Sequence, residues 1–130
     1  KKRIKNGFEG MDPEEFEIFM KRIFEGMGYN VELTAHRQDY GADLILSSGE
    51  IRQLVELKCY SVRNKVGNQE IRKTIGALQK HNCQKAIFIT TSSFTEAAYE
   101  QSKESPILLI DNQALMKILN DYLVGHTVSW

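Results

Sequence analysis

Residues 43–60 read DLILSSGEIRQLVELKCY. Two β-rich runs, 43–47 and 52–60, flank Ser48-Gly49-Glu50, a composition that turns one strand back on the next. Side chains alternate along a strand, so Leu54, Glu56, Lys58 and Tyr60 share one face and Gln53, Val55, Leu57 and Cys59 the other. Glu56 and Lys58 thus stand side by side in an otherwise apolar strand, where each ion costs roughly several kcal/mol of desolvation unless something pairs it. Taken alone, the two residues read as a salt bridge on a strand with one wet face. Asp43 changes the balance, because a short hairpin can bring it across from the Glu56–Lys58 region. Two carboxylates converging with a lysine suit a hard cation such as Mg²⁺, which takes oxygen ligands and needs few protein carboxylates beside water and phosphate. The lysine can hold the attacking water or neutralise developing charge, while a metal acidifies water and clamps phosphate oxygens. The pattern fits metal-assisted phosphodiester hydrolysis.

Outward from the hairpin, the chain alternates strands and helices. Asp12 is a good N-cap and Pro13 suits the first helical position. Phe16, Phe19, Met20, Ile23, Phe24 and Met27 then recur at helical spacing, and Gly26 and Gly28 close the helix. Glu17 falls about 20° from Phe24 on the helical wheel, at the edge of the apolar stripe. It is a candidate site residue on that account. Residues 29–34 read as a first strand. A second helix is expected from Asn68, carrying Ile71, Ile75 and Leu78 inward and ending at His81 and Asn82. Residues 86–91 form a continuous apolar run, as in a strand covered on both faces. Ser93 with Glu96 gives a capping-box pattern for a helix over 94–103. Residues 106–110 form a last strand, and Asp111 or Asn112 caps a final helix. Thr90, Thr91, Ser92 and Ser93 end the fourth strand just before a helix start, where hydroxyls and N–H groups either cap or bind a phosphate. The order α-β-β-β-α-β-α-β-α predicts an α/β fold: a mixed five-stranded sheet with flanking helices in three layers.

At 130 residues the chain is one domain with a full core, and its composition is ordinary for a globular protein. We expect a basic tail or linker over residues 1–10 and a single domain over 11–130. No apolar run is long enough to span a bilayer. Two cysteines, Cys59 and Cys83, in no metal-binding spacing, read as reduced thiols of a cytoplasmic protein. Seventeen basic residues cancel seventeen acidic ones, so net charge argues for no partner. Locally, Lys58, Arg63, Lys65, Arg72 and Lys73 crowd residues 58–73 against Glu70 alone. Such a run is ordinarily a solvated face.

The spaced set Asp43…Glu56-Leu57-Lys58 resembles the PD-(D/E)xK nuclease motif, with Ala42 in place of the proline. With FEIFMKRIFEGMGYNVELT, QDYGADLI, VELKCY, KAIFITTSSFTEAAYEQS and ILLIDNQALMKIL, it resembles the Mrr-type restriction endonuclease domain over roughly residues 12–120. That resemblance implies a restriction-endonuclease-like three-layer fold and a metal-dependent DNA endonuclease using Mg²⁺ or Mn²⁺. It places Asp43, Glu56 and Glu17 as metal ligands, Lys58 as the residue that assists the water, and Asp39 as support on a D-x-G-x-D segment. The third strand of that family often carries QxK; Glu56 restores the acidic form. The helix after it often carries a glutamine, whose equivalent here is Arg72, with Gln69 one turn earlier. Arg63, Lys65, Arg72, Lys73, Gln69 and His36 become candidate contacts to double-stranded DNA, positioning phosphates without reading sequence. The implied role is the cleavage domain of an Mrr-like restriction system, with a recognition domain missing from this chain. Double-strand cleavage would call for two active sites, as a homodimer supplies. A Holliday-junction resolvase-like nuclease and a non-catalytic DNA-binding module on the same fold stay open as alternatives.

Overall fold

The computed structural model describes residues 8, 11–34 and 44–125. Helix α1 spans Pro13–Gly26. Its start is a capping box: the Glu15 amide donates to Asp12 Oδ1 at 2.8 Å, and the Asp12 amide donates to Glu15 Oε1 at 3.1 Å. Phe16, Met20, Ile23 and Phe24 form its buried stripe, joined by Glu17.

Strands β1 (Asn30–Leu33), β2 (Leu44–Ser48) and β3 (Ile51–Lys58) form an antiparallel meander. The β2–β3 turn rests on Gly49 at φ +64°, a conformation glycine adopts without steric cost. Helix α2 (Asn68–Gly76) crosses to β4 (Lys85–Thr90), which pairs parallel with β3. Helix α3 (Glu96–Ser102) leads to β5 (Ile107–Ile110), parallel to β4, and α4 (Asn112–Leu123) follows. The sheet order is β1-β2-β3-β4-β5.

The expected α/β architecture with its mixed five-stranded sheet is therefore present. Val55, Leu57, Ile87 and Ile89 point to one side of the sheet and pack with Phe16, Met20 and Phe24 of α1 and Leu115 and Leu119 of α4. Leu54 and Ala86 point the other way, toward Ala77 and Leu78 just beyond α2. Phe88 on that same side packs with Ile71 of α2, Phe94 and Ala98 of α3. Phe8, on the tail side of the expected boundary, is buried in the α1 core and meets Phe16 edge-on at 5.5 Å. No helix among the described residues is long and apolar enough to cross a membrane.

Two helix boundaries differ from the sequence expectation. Helix α2 ends at Gly76 rather than at His81–Asn82. Glycine is a poor helix former, and the carbonyls of His81 and Asn82 are taken by the Arg52 guanidinium at 3.0 and 3.1 Å. Helix α3 is capped by Thr95, whose hydroxyl accepts from the Ala98 amide at 3.1 Å, and not by Ser93. The cause is tertiary. The Val66 amide donates to Ser93 O at 2.8 Å and the Thr95 amide to Val66 O at 3.0 Å, which holds residues 93–95 extended. Asp111, rather than Asn112, caps α4 through the Ala114 amide at 2.9 Å.

Candidate active site

The even-numbered face of β3 carries the site. Glu56 is paired along the ladder with Phe88 and Lys58 with Thr90, so both lie toward the carboxyl ends of two parallel strands. Glu56 is buried, at 2% exposure. Lys58 Nζ stands 3.3 Å from Glu56 Oε2, and its side chain is 34% exposed. Burial is the largest single influence and works against the Lys58 charge, but the Glu56 carboxylate, Tyr60 and Glu70 together outweigh it. The ammonium is held above the ordinary lysine range. At neutral pH it is therefore a cation and hydrogen-bond donor, not a base.

Tyr60 continues the same face. Its hydroxyl donates to Glu70 Oε1, in the first turn of α2, at 3.0 Å. Burial, then this hydrogen bond, raise the Tyr60 hydroxyl above its usual range. Glu70 was missed in the sequence because the loop between β3 and α2 hides its distance from Tyr60. The one available signal was the parity of Tyr60 with Glu56 and Lys58.

Glu17 is buried, at 8% exposure, whereas Glu14 and Glu25 of the same helix are exposed and Glu15 is only half-buried. Glu17 and Glu56 are the buried carboxylates among the described residues. They belong to elements on different sides: α1 packs on the Val55–Leu57 face, while Glu56 and Lys58 alternate to the other. The described residues do not bring three or more His, Cys, Asp or Glu side chains into one metal-holding cluster. His36, Asp39 and Asp43 lie outside the described residues, as does any contact of Asp43 with Glu56. The described part of β2 begins with Leu44 opposite Val55, the neighbour of Glu56.

The hydroxyl run after β4 has a role neither of the two expected readings gave it. Thr90, Thr91 and Ser92 are buried. Thr90 Oγ1 donates to Lys58 O at 2.9 Å, Thr91 Oγ1 to Tyr60 O at 2.7 Å, and Ser92 Oγ to Val62 O at 3.4 Å. These hydroxyls are occupied by main-chain carbonyls and do not face an external phosphate. Beyond them, Arg63 and Lys65 are exposed on the turn closed by the Asn64 amide to Ser61 O at 2.9 Å. Gln69, Arg72 and Lys73 are exposed on α2. Arg72 faces solvent, and Glu70 is the α2 residue that reaches the site face.

Comparison with known proteins follows the same lines. The Mrr_cat family model, restriction endonuclease, matches residues 8–119. The type IV methyl-directed restriction enzyme EcoKMrr of Escherichia coli (strain K12) is 27% identical over 123 residues, covering 88% of this chain and 40% of that protein. The structure of the DNA modification-dependent restriction endonuclease AspBHI superposes with a TM-score of 0.72 at 21% identity, covering 96% of this chain and 35% of that one. The MspJI restriction endonuclease, solved in complex with a 27-mer oligonucleotide, superposes with a TM-score of 0.59 at 20% identity, covering 78% of this chain and 26% of that one. The chain thus spans less than half the length of each of these proteins.

Proposed function

The chain belongs to the Mrr-type restriction endonuclease family, and from that premise we propose that it is a metal-dependent DNA endonuclease domain, the cleavage part of a larger restriction protein. The observation that carries the reading is the buried Glu56 carboxylate 3.3 Å from a protonated Lys58 at the carboxyl end of β3. A fold that needed only stability would gain from an apolar pair at these positions, since replacing buried ion pairs by packed apolar residues is often neutral or stabilising.

The donor chemistry fits Mg²⁺ or Mn²⁺. Glu56 supplies a hard oxygen at the strand end, and in this reading Asp43, the residue before Leu44 in sequence, supplies a second. Glu17, whose helix packs on the other face of the sheet, is not counted among these ligands, and Asp39 supports the loop before β2 in this reading. Bound there, the metal would acidify a water and neutralise charge on the scissile phosphate. Lys58, held protonated, donates to the attacking water or to a phosphate oxygen as charge builds. Arg63, Lys65, Arg72 and Lys73, with Gln69 and His36, hold the duplex by its phosphates and fix its register without reading bases. Sequence or modification specificity then belongs to the rest of the protein, and double-strand cutting to a homodimer. In this reading the setting is the cytoplasm.

The test is supercoiled-plasmid cleavage by the wild type, Asp43→Ala and Lys58→Ala in Mg²⁺, Mn²⁺ and EDTA. Methylated and unmethylated plasmids are compared, because EcoKMrr is methyl-directed. Nicking or linearisation that needs metal, Asp43 and Lys58 is the expected result. Full cleavage by either variant refutes the assignment. DNA binding that is indifferent to chelator, with no nicking of plasmid or four-way junction, replaces the nuclease with a binding module.

A further inference from the structure

The end of β3 is held in an unusual way. The main-chain ladder with β4 ends at Lys58 opposite Thr90. The chain from 58 to 62 nevertheless stays attached to β4's exit. Three successive hydroxyls, of Thr90, Thr91 and Ser92, donate to the alternate carbonyls of Lys58, Tyr60 and Val62. The Thr91 amide adds a second donor to Lys58 O at 3.1 Å. Thr90 Oγ1 also accepts from the Ser92 amide at 3.1 Å, so the run is tied to itself. Behind it, Asn112 at the start of α4 donates from Nδ2 to Thr91 O at 3.2 Å and from its amide to Ser92 O at 3.0 Å. The far end of the loop is pinned to the same segment, through Val66 to Ser93 and Thr95. Side-chain hydroxyls thus continue a sheet edge after the backbone ladder has stopped.

We propose that Thr91, with Thr90 and Ser92, is a positioning residue for Lys58 and for the loop bearing Arg63 and Lys65. This rests on the nuclease reading for its catalytic consequence. The physical ground is direct. The direction of the Lys58 side chain follows from the backbone at residues 58–60, and both flanking carbonyls there are fixed by the threonines. A lysine that must meet Glu56 and a phosphate oxygen together tolerates little drift, since misplacement of about 1 Å costs about a hundredfold in rate. A purely structural hydroxyl would instead lower stability without separating chemistry from binding.

The test compares wild type, Thr91→Val, which keeps shape and loses the donor, and Thr91→Ser, which keeps the donor. Single-turnover cleavage and DNA affinity in Ca²⁺ are measured beside thermal melting. We expect Thr91→Val to lose roughly ten- to a hundredfold in cleavage rate while DNA affinity changes about twofold, and Thr91→Ser to recover most of the rate. Two readouts need no DNA: the ¹³Cε resonance of Lys58, assigned by its loss in Lys58→Arg, and amide exchange across residues 59–64. Both should shift in Thr91→Val and return in Thr91→Ser. An unmoved Lys58 resonance in Thr91→Val overturns the proposal, as does a wild-type cleavage rate in that variant. If the wild type cleaves no DNA, the nuclease reading fails while the resonance still decides whether Thr91 places Lys58. Should Thr91→Val not fold, Thr91→Ala carries the same measurements.

Discussion

Lys58→Met should destabilise the protein more than Glu56→Gln, although both break the same ion pair. The asymmetry comes from burial: Glu56 is 2% exposed, whereas the Lys58 side chain is 34% exposed. Removing the lysine leaves a carboxylate in the sheet without its cation 3.3 Å away. Losing one partner of a fully buried pair costs about 3–5 kcal/mol. Water reaches Lys58, so the pair is partly screened and the expected cost is about 2 kcal/mol. For a chain of this size that is about 8 °C of melting temperature. Glu56→Gln removes the buried charge, keeps the shape, and leaves a lysine that can turn to solvent; its cost should be under about 1 kcal/mol. Urea denaturation of both variants and of the double variant measures all of this. The reasoning is refuted if Lys58→Met matches wild type within about 0.5 kcal/mol, or if Glu56→Gln is the more damaging change.

Three further outcomes follow from other parts of the fold. Burial, then Lys80 and Arg52, lower the His81 pKa from its ordinary 6.5. The unfolded chain therefore binds a proton there that the folded chain resists, so stability falls as pH drops below about 6.5; His81→Gln should flatten that part of a urea-midpoint profile, and an unchanged slope rejects it. Burial raises both the Cys59 and Cys83 thiols, so iodoacetamide should label the folded protein at least about tenfold more slowly than the urea-unfolded chain at neutral pH; equal rates by mass spectrometry would contradict this. Asp12→Ala removes the side-chain half of the α1 capping box, the acceptor for the Glu15 amide, and should cost about 1 kcal/mol, seen as a melting point about 4 °C lower; an unchanged melting point would mean that tertiary packing alone fixes that helix end.

The sheet and the register of β3 were legible because a period of two is unforgiving. One step of slip would have turned Val55 and Leu57 to the Glu56 side, and the alternation around VELK admits no other reading. Helix α1 was legible because its cap, its proline and its six-residue stripe agree. The boundaries of α2 and α3 were not, because contacts distant in sequence set them: Arg52 reaching His81 and Asn82, and Val66 holding residues 93–95 extended. For the same reason Ser93 reads as a cap and the hydroxyl run as either a cap or a phosphate site. Local pattern shows that a hydroxyl wants a partner and cannot show which carbonyl supplies it. The helical wheel placed Glu17 at the stripe's edge, and its burial agrees. A wheel carries no information on which side of the sheet its helix docks, so the separation of α1 from the Glu56 face had to come from the tertiary structure.

The polar cost in this fold is unevenly distributed, and that distribution is itself an argument about function. At the amino end of β3, Arg52 is matched to carbonyls and to Gln84, whose Oε1 accepts the Arg52 amide at 2.7 Å. A cavity of about 320 Å³ opens near there, between Gln53, Lys85 and Pro106, and no carboxylate among the described residues lines it. At the carboxyl end the pattern reverses: Glu56, Thr90, Thr91 and Ser92 are all buried within two adjacent strand ends, with Lys58 and Tyr60 beside them. Open α/β sheets place ligands outside the carboxyl ends of their parallel strands. A chain selected for stability alone would spread its buried polar groups or remove them. Concentrating them beyond residue 55, beside exposed Arg63 and Lys65 and away from the cavity at the other end of the sheet, is what an anionic substrate and a hard cation would require of this sheet.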